Sequence, residues 1–254
     1  MSSPVLIVTG ASSGIGAATA RLFASKGYRV VLAARRLHRL LELAEEMRES
    51  GGEALPVQTD VTQIDQLQNL VDKTIEQYGR IDILLNNAGF GRLLWLDEQE
   101  LEADIAAQVN VNLIGLMQIT RLVLPFMIER GEGHIINVSS VAAWVAPPTY
   151  SVYAATKFAI RGFAEALRLE VNGMGVSVST IYPGAVESEF IENAGVDWKT
   201  ESFTPNWLVL TSQDVAQSIL RIVKKKRRSL IIPRIMGLVV WINAHWPGII
   251  NWVI

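Results

Sequence analysis

The sequence predicts an α/β protein whose parallel sheet is doubly wound, with helices on both faces. Two observations predict this. Short β-rich runs alternate with longer helical stretches along most of the chain. The short runs are apolar at every position rather than at every second one, as strands covered on both faces must be.

Each element follows from its residues. Val5 to Thr9 is a β-branched apolar run, and Gly14 to Lys26 is a helix that Gly27 stops. Arg29 to Ala33 is the second strand. Arg36 to Glu49 is a charged amphipathic helix ended by Gly51-Gly52. Ala54 to Thr59 is the third strand, Gln63 to Tyr78 a helix stopped by Gly79, and Ile81 to Leu85 the fourth strand. Glu98 to Glu129 holds one or two helices, with Pro125 near the end. His134 to Val138, Val176 to Ile181 and Leu230 to Ile232 are further strands, separated by helices at Val152 to Val171 and Asp214 to Val223. We divide the chain into one α/β domain over 1–233, with an irregular stretch at 185–211, and an apolar tail over 234–254.

Composition narrows the function classes. The chain has 254 residues, half of them hydrophobic, which suffices for one domain with a large core. A net charge of −2 argues against a nucleic-acid surface. There is no cysteine, so disulfides and thiolate metal sites are excluded. His38, His134 and His245 are scattered, which disfavours a histidine-bound metal. Met1-Ser2-Ser3-Pro4 lacks a basic start, so we expect no secretory signal and a cytoplasmic setting.

The first strand runs into Gly10-Ala11-Ser12-Ser13-Gly14-Ile15-Gly16, and a helix opens at once. Glycines there permit a tight turn and a close approach of backbone N–H groups to a pyrophosphate, beside the positive end of the helix dipole. A site for an unphosphorylated dinucleotide would carry an acid about 20 residues further on. Here the second strand ends in Ala33-Ala34-Arg35-Arg36. Guanidinium forks suit a 2′-phosphate, so the expected cofactor is NADP(H), with Arg35, nearer the strand end, ahead of Arg36. Asp60-Val61 after the third strand and Asn86-Asn87-Ala88-Gly89 after the fourth are small or polar groups where ligands bind in open α/β sheets.

Tyr153 and Lys157, four residues apart, share one helix face. A free phenol ionises near ~10 and exchanges protons poorly at neutral pH; a nearby ammonium is expected to lower that value and make it a general acid/base.

With Thr9-Gly10-x-x-x-Gly14-x-Gly16, Asp60-Val61, Asn86-Asn87-Ala88-Gly89, Asn112-x-x-Gly115, Ser139-Ser140, Tyr153-x-x-x-Lys157 and Pro183-Gly184 in this order, the chain resembles the short-chain dehydrogenase/reductase family over about residues 4–232. The resemblance implies a Rossmann-like fold with a seven-stranded parallel sheet and NAD(P)-dependent oxidation or reduction of alcohols and carbonyls. It implies homodimers or homotetramers, often joined through the long helices that hold Asn112 and Tyr153. It selects Ser140, thirteen residues before Tyr153, to hydrogen-bond the substrate oxygen. It makes Tyr153 the proton donor, Lys157 its activator and a ribose ligand, and Asn112 a proton relay through water. It adds Pro183, Gly184, Val186 and Ser188 to the cofactor contacts, Ser188 standing after Glu187 where the family often has threonine.

The resemblance makes the stretch 185–211 a lid over the substrate, where Phe190, Trp198, Phe203 and Trp207 imply an apolar pocket or serve to pack the lid down. Ile235 to Ile254 is apolar and holds Trp241, Trp246 and Trp252, downstream of the basic run Lys224 to Arg228. Asn243, His245, Pro247 and Asn251 argue against a membrane span. We expect the tail to dock on its own lid or on a partner subunit, with peripheral membrane contact as the alternative. The functional expectation is a carbonyl reductase or alcohol dehydrogenase acting on a hydrophobic ketone, aldehyde or secondary alcohol. Its rivals are an NADP(H)-binding regulatory or scaffold protein without turnover, and an epimerase or dehydratase on the same fold.

Overall fold

Seven strands, every adjacent pair parallel, build the central sheet in the order β3-β2-β1-β4-β5-β6-β9. They are β1 (Val5–Thr9), β2 (Arg29–Ala34), β3 (Glu53–Gln58), β4 (Ile83–Asn86), β5 (Gly133–Val138), β6 (Val176–Pro183) and β9 (Ser229–Ile232). The computed structural model describes residues 3–192, 194 and 205–248. Trp198, Phe203 and Trp252 lie outside the described residues. A separate parallel pair, β7 (Val186–Glu187) and β8 (Leu210–Thr211), ties the two ends of the lid together; two-residue strands leave no periodic signal in sequence.

The pleat divides each strand between two cores. Leu6, Val8, Val30 and Leu32 face α1 (Gly14–Ala24) and α2 (Leu37–Glu49), with Val215 and Ile219 of a later helix. Val5, Ile7, Val31 and Ala33 face α3 (Ile64–Tyr78), α4 (Leu101–Arg130) and α5 (Ser151–Glu170). Neither side of these strands meets water, which is why they read as unbroken apolar runs. Pro56 is tolerated because β3 is an edge strand with no ladder partner on its outer side.

Helix α4 is long and apolar enough to cross a membrane by length and composition. It instead packs on the sheet through Ile119, Val123 and Met127, all buried. Within it, Leu101–Ala106 and Asn110–Ile114 are π-helical turns. Such wide turns recur at functional sites.

The order of strands reverses between β1 and β4, which opens a crevice at their C-terminal ends. The remaining helices are α6 (Glu189–Glu192), between β7 and β8 in the lid, α7 (Ser212–Lys225) after β8, and α8 (Ile235–His245) after β9. Helix α8 docks on its own fold. Val240 packs with Val141 and Val145, and the Asn243 amide donates to the Trp144 carbonyl at 2.9 Å. Eleven residues are too few to span a bilayer. The basic run Lys224 to Arg228 precedes β9 and α8 follows it, so the charges and the tryptophans sit at opposite ends of that strand.

Candidate active site

A cleft of about 1780 Å³ runs along the C-terminal ends of the strands. It is lined by Gly10, Ser12, Ser13, Gly14 and Ile15 from the first turn, Arg35 and Arg36 after β2, and Asp60 and Val61 after β3. Asn87, Ala88, Gly89, Ser140, Tyr153, Lys157, Pro183, Gly184, Val186 and Ser188 complete the expected set in the same cleft. Gly16 and Asn112 pack behind it.

The glycine turn is built by close approach. A Cβ on Gly10 would come within 2.9 Å of the Ala88 Cα, and one on Gly16 within 2.3 Å of the Gly10 carbonyl oxygen. Gly10 also has a φ of +67°, which disfavours any side chain. Asn87 braces the turn, its amide donating to the carbonyls of Thr9 at 3.0 Å and Gly10 at 3.2 Å. Thr9 Oγ1 accepts from the backbone N–H groups of Asn87 and Ala88. At the start of α1, Ser13 is the N-cap residue but its side chain makes no capping bond. The first-turn N–H groups and a backbone with no room for side chains fit a pyrophosphate.

The two arginines take different partners. Arg36, not Arg35, reaches the glycine turn. Its Nε and Nη2 donate to Ser12 Oγ at 3.2 and 3.0 Å, and Nη2 also to Ser13 Oγ at 2.9 Å. Arg35 is exposed, and its carbonyl accepts from Gln58. β1 and β2 are neighbours, and the residue two steps past the end of β2 turns back over the β1 turn. Glu189, from the lid, accepts from Arg36 Nη1 at 2.9 Å and from Arg39. Neither Glu189 nor Arg39 was anticipated, since an acid and a base 150 residues apart carry no joint signal. Asp60 points one oxygen at its own turn, Oδ1 accepting from Thr62 N at 3.0 Å and Thr62 Oγ1 at 2.8 Å. Ser188 lies over Gly14, its Oγ donating weakly to the Val186 carbonyl.

Helix α5 presents Tyr153 and Lys157, both buried, to the middle of the cleft. The phenol ring is flanked by Tyr150 at 6.1 Å and Phe190 at 5.4 Å between centroids. Burial raises the ionisation of Tyr153, and a hydrogen bond with Ser140 opposes that rise. Lys157 Nζ sits 5.4 Å from the ring centroid and donates to the Val138 carbonyl at 3.2 Å. Desolvation drops the Lys157 ammonium to about 8.

Ser139 and Ser140 separate cleanly. Ser139 is buried and donates to the Lys157 carbonyl at 3.1 Å, a structural bond along α5. Ser140 caps the short turn Val141–Ala143, its Oγ accepting from Ala142 N, and faces the phenol. Arg161 fixes this loop from α5: its guanidinium stacks 3.5 Å from the Trp144 ring centroid, and Nη1 donates to the Ala143 carbonyl. Asn112 stands in the second π-turn of α4 and is fully buried. Its amide donates to the Phe90 carbonyl at 2.8 Å and its oxygen accepts from the Phe90 N–H at 2.9 Å. The Asn112 side chain thus holds the 89–90 loop beside Lys157. Leu93 and Phe190 on one side, and Met236 and Val239 of α8 on the other, give the inner cleft apolar walls.

Fold and cleft together define an α/β oxidoreductase. A family profile described as short chain dehydrogenase matches residues 4–198. An uncharacterized oxidoreductase of Listeria innocua is 42% identical over 207 residues, 80% of this chain and 82% of that one. The crystal structure of a short-chain dehydrogenase/reductase from Burkholderia phymatum in complex with NAD superposes with a TM-score of 0.87 at 27% identity, covering 97% of this chain and 95% of that chain. A short-chain dehydrogenase from Sphingobium yanoikuyae in complex with NADPH gives 0.84 at 29%, covering 98% and 95%. This chain belongs to the short-chain dehydrogenase family.

Proposed function

We propose that the protein is an NADPH-dependent reductase of hydrophobic ketones or aldehydes, reversible toward the secondary alcohol. The observation that carries this reading is one cleft holding Tyr153, Lys157 and Ser140 together with Arg35 and Arg36, with Arg39 paired beside them to Glu189. Since solved neighbours bind NAD in one case and NADPH in another, the choice rests on this chain's own arginines and on the lack of an acid after β2.

When bound, the nicotinamide supplies the hydride. Gly10, Ser12, Ser13, Gly14, Ile15 and Gly16 would hold the pyrophosphate; Asp60, Val61, Asn87, Ala88 and Gly89 would flank the adenosine and ribose; Pro183, Gly184, Val186 and Ser188 would bound the nicotinamide. Ser140 orients the substrate oxygen and Tyr153 places a proton on it. A phenol whose ionisation is raised by burial stays protonated at neutral pH, which suits an acid in the reducing direction. Lys157 adds positive charge behind the ring, and Asn112 holds Phe90 and the lysine's surroundings in register. Ser140 and Tyr153 stabilise the charge that develops on oxygen. Leu93, Phe190, Met236 and Val239 exclude water around an apolar substrate.

The test is NADPH oxidation against a panel of hydrophobic carbonyls, with NADH as the control cofactor. Turnover with NADPH at a clearly higher kcat/KM supports the reading; equal rates with both would remove its cofactor half. We further propose self-association through the outer faces of α4 and α5, where Ile114, Ile128, Phe158 and Leu169 are exposed. Light scattering checks this.

A further inference from the structure

Glu189 makes the longest-range ion pairs in the described structure. Its carboxylate opens α6 in the lid, yet it accepts from Arg36 Nη1 at 2.9 Å and from Arg39 Nη1, across 153 and 150 residues of sequence. The remaining bonds of Arg36 go to Ser12 and Ser13, so one guanidinium joins the glycine turn to the lid. The next residue, Phe190, packs against the Tyr153 ring. Cofactor arginines, lid and acid/base are thus linked through two consecutive residues.

We propose that Glu189 is a specificity-determining residue: an internal carboxylate that holds Arg36 and Arg39 until a 2′-phosphorylated nucleotide displaces it. The proposal rests on the NADP(H) reading above. The chemistry of exchange is favourable. Arginine forks donate to carboxylate and phosphate oxygens with the same geometry, and a phosphate monoester brings nearly two charges and three acceptor oxygens against one charge and two oxygens. All three side chains are more than a third exposed, so their pairing is of the weak surface kind and can open. A nucleotide with a free 2′-hydroxyl brings no charge to compete and leaves the pair closed. Because linkage is reciprocal, whatever opens the pair strengthens binding of the phosphorylated nucleotide by the same factor. The lid therefore reports which cofactor is bound, and Phe190 carries that report to Tyr153.

The probes are adenosine 2′,5′-bisphosphate and adenosine 5′-monophosphate, titrated calorimetrically into the full chain. Wild type should bind the bisphosphate more tightly than the monophosphate. Glu189→Gln should bind the bisphosphate at least about fivefold more tightly than wild type does, the low end of ordinary coupling, with monophosphate affinity unchanged. Glu189→Ala should behave alike, which guards against a defect peculiar to one variant. In wild type, hydrogen exchange over residues 186–192 should rise with the bisphosphate and not with the monophosphate. If wild type prefers the bisphosphate but the variants bind it no better, or worse, the competition is overturned while the NADP(H) reading stands. If wild type does not distinguish the two probes, the cofactor reading fails and the proposal with it.

Discussion

His134 shows how a single residue reports its surroundings. It lies in β5, buried, with Nε2 2.7 Å from Ser179 Oγ, which in turn donates to the Arg227 carbonyl. Burial, with some repulsion from Lys226, depresses its ionisation to about 4. The unfolded chain binds this proton near pH ~6.5 while the folded chain resists it, so stability falls as pH drops from about 6.5 to about 4. The full loss is about 3 kcal/mol. Denaturant titrations of wild type and His134→Asn across this window check it: the variant should show a shallower slope, and parallel curves would contradict the assignment. At this scale the sequence was partly legible. The shared face of Tyr153 and Lys157 followed from their helical spacing, whereas Ser140 was singled out through the family resemblance. The bonding of Arg36 to Ser12 and Ser13, and that of Asn112 to Phe90, were not legible, because both depend on which strand end or loop lies opposite, a matter of tertiary register.

At the scale of elements, buried charge and capping hold the sheet's far edge and the lid. Asp82, just before β4, accepts from Val5 N at 2.7 Å, Arg80 Nε at 2.8 Å and Arg130 Nη2 at 3.1 Å. Burial opposes its charge, but these donors hold its carboxyl below the usual range. It thereby ties β1, β4 and the C-terminus of α4 together. Asp82→Asn should cost about 3 kcal/mol in chemical denaturation, because buried donors lose their anion; a loss under about 0.5 kcal/mol, the scale of ordinary surface changes, would refute this. Helix α7 begins with a capping box, Thr211 Oγ1 accepting from Asp214 N at 3.2 Å while Asp214 accepts from Thr211 N at 2.9 Å. Thr211→Ala should cost about 1 kcal/mol. Strands and long helices were readable here because the inner strands β1, β4 and β5 are buried on both faces and several helices end at or just before a glycine. The π-turns of α4 and the β7–β8 pair were not, since neither changes the periodicity of the sequence.

For the whole molecule, the reversal of strand order between β1 and β4 gathers residues from across the chain into one cleft. Its apolar end is closed by α8, whose docking was one of the two readings the sequence allowed. Met236 and Val239 line the cleft while Ile235, Leu238 and Trp241 remain exposed, so the helix is apolar all round and its buried face could not be chosen from pattern alone. Truncation after Pro233 should lower kcat/KM for bulky apolar carbonyls more than for small ones, because the wall beside Ser140 is lost. Equal losses for both would assign α8 a purely structural part.

The central claim is that the buried Tyr153 phenol delivers the proton in a nicotinamide-dependent reduction. Its most direct test is kcat for carbonyl reduction by wild type and Tyr153→Phe, with NADPH affinity measured on both. The account predicts a fall of about a thousandfold in kcat with cofactor affinity preserved. Near wild-type kcat in the variant would contradict it.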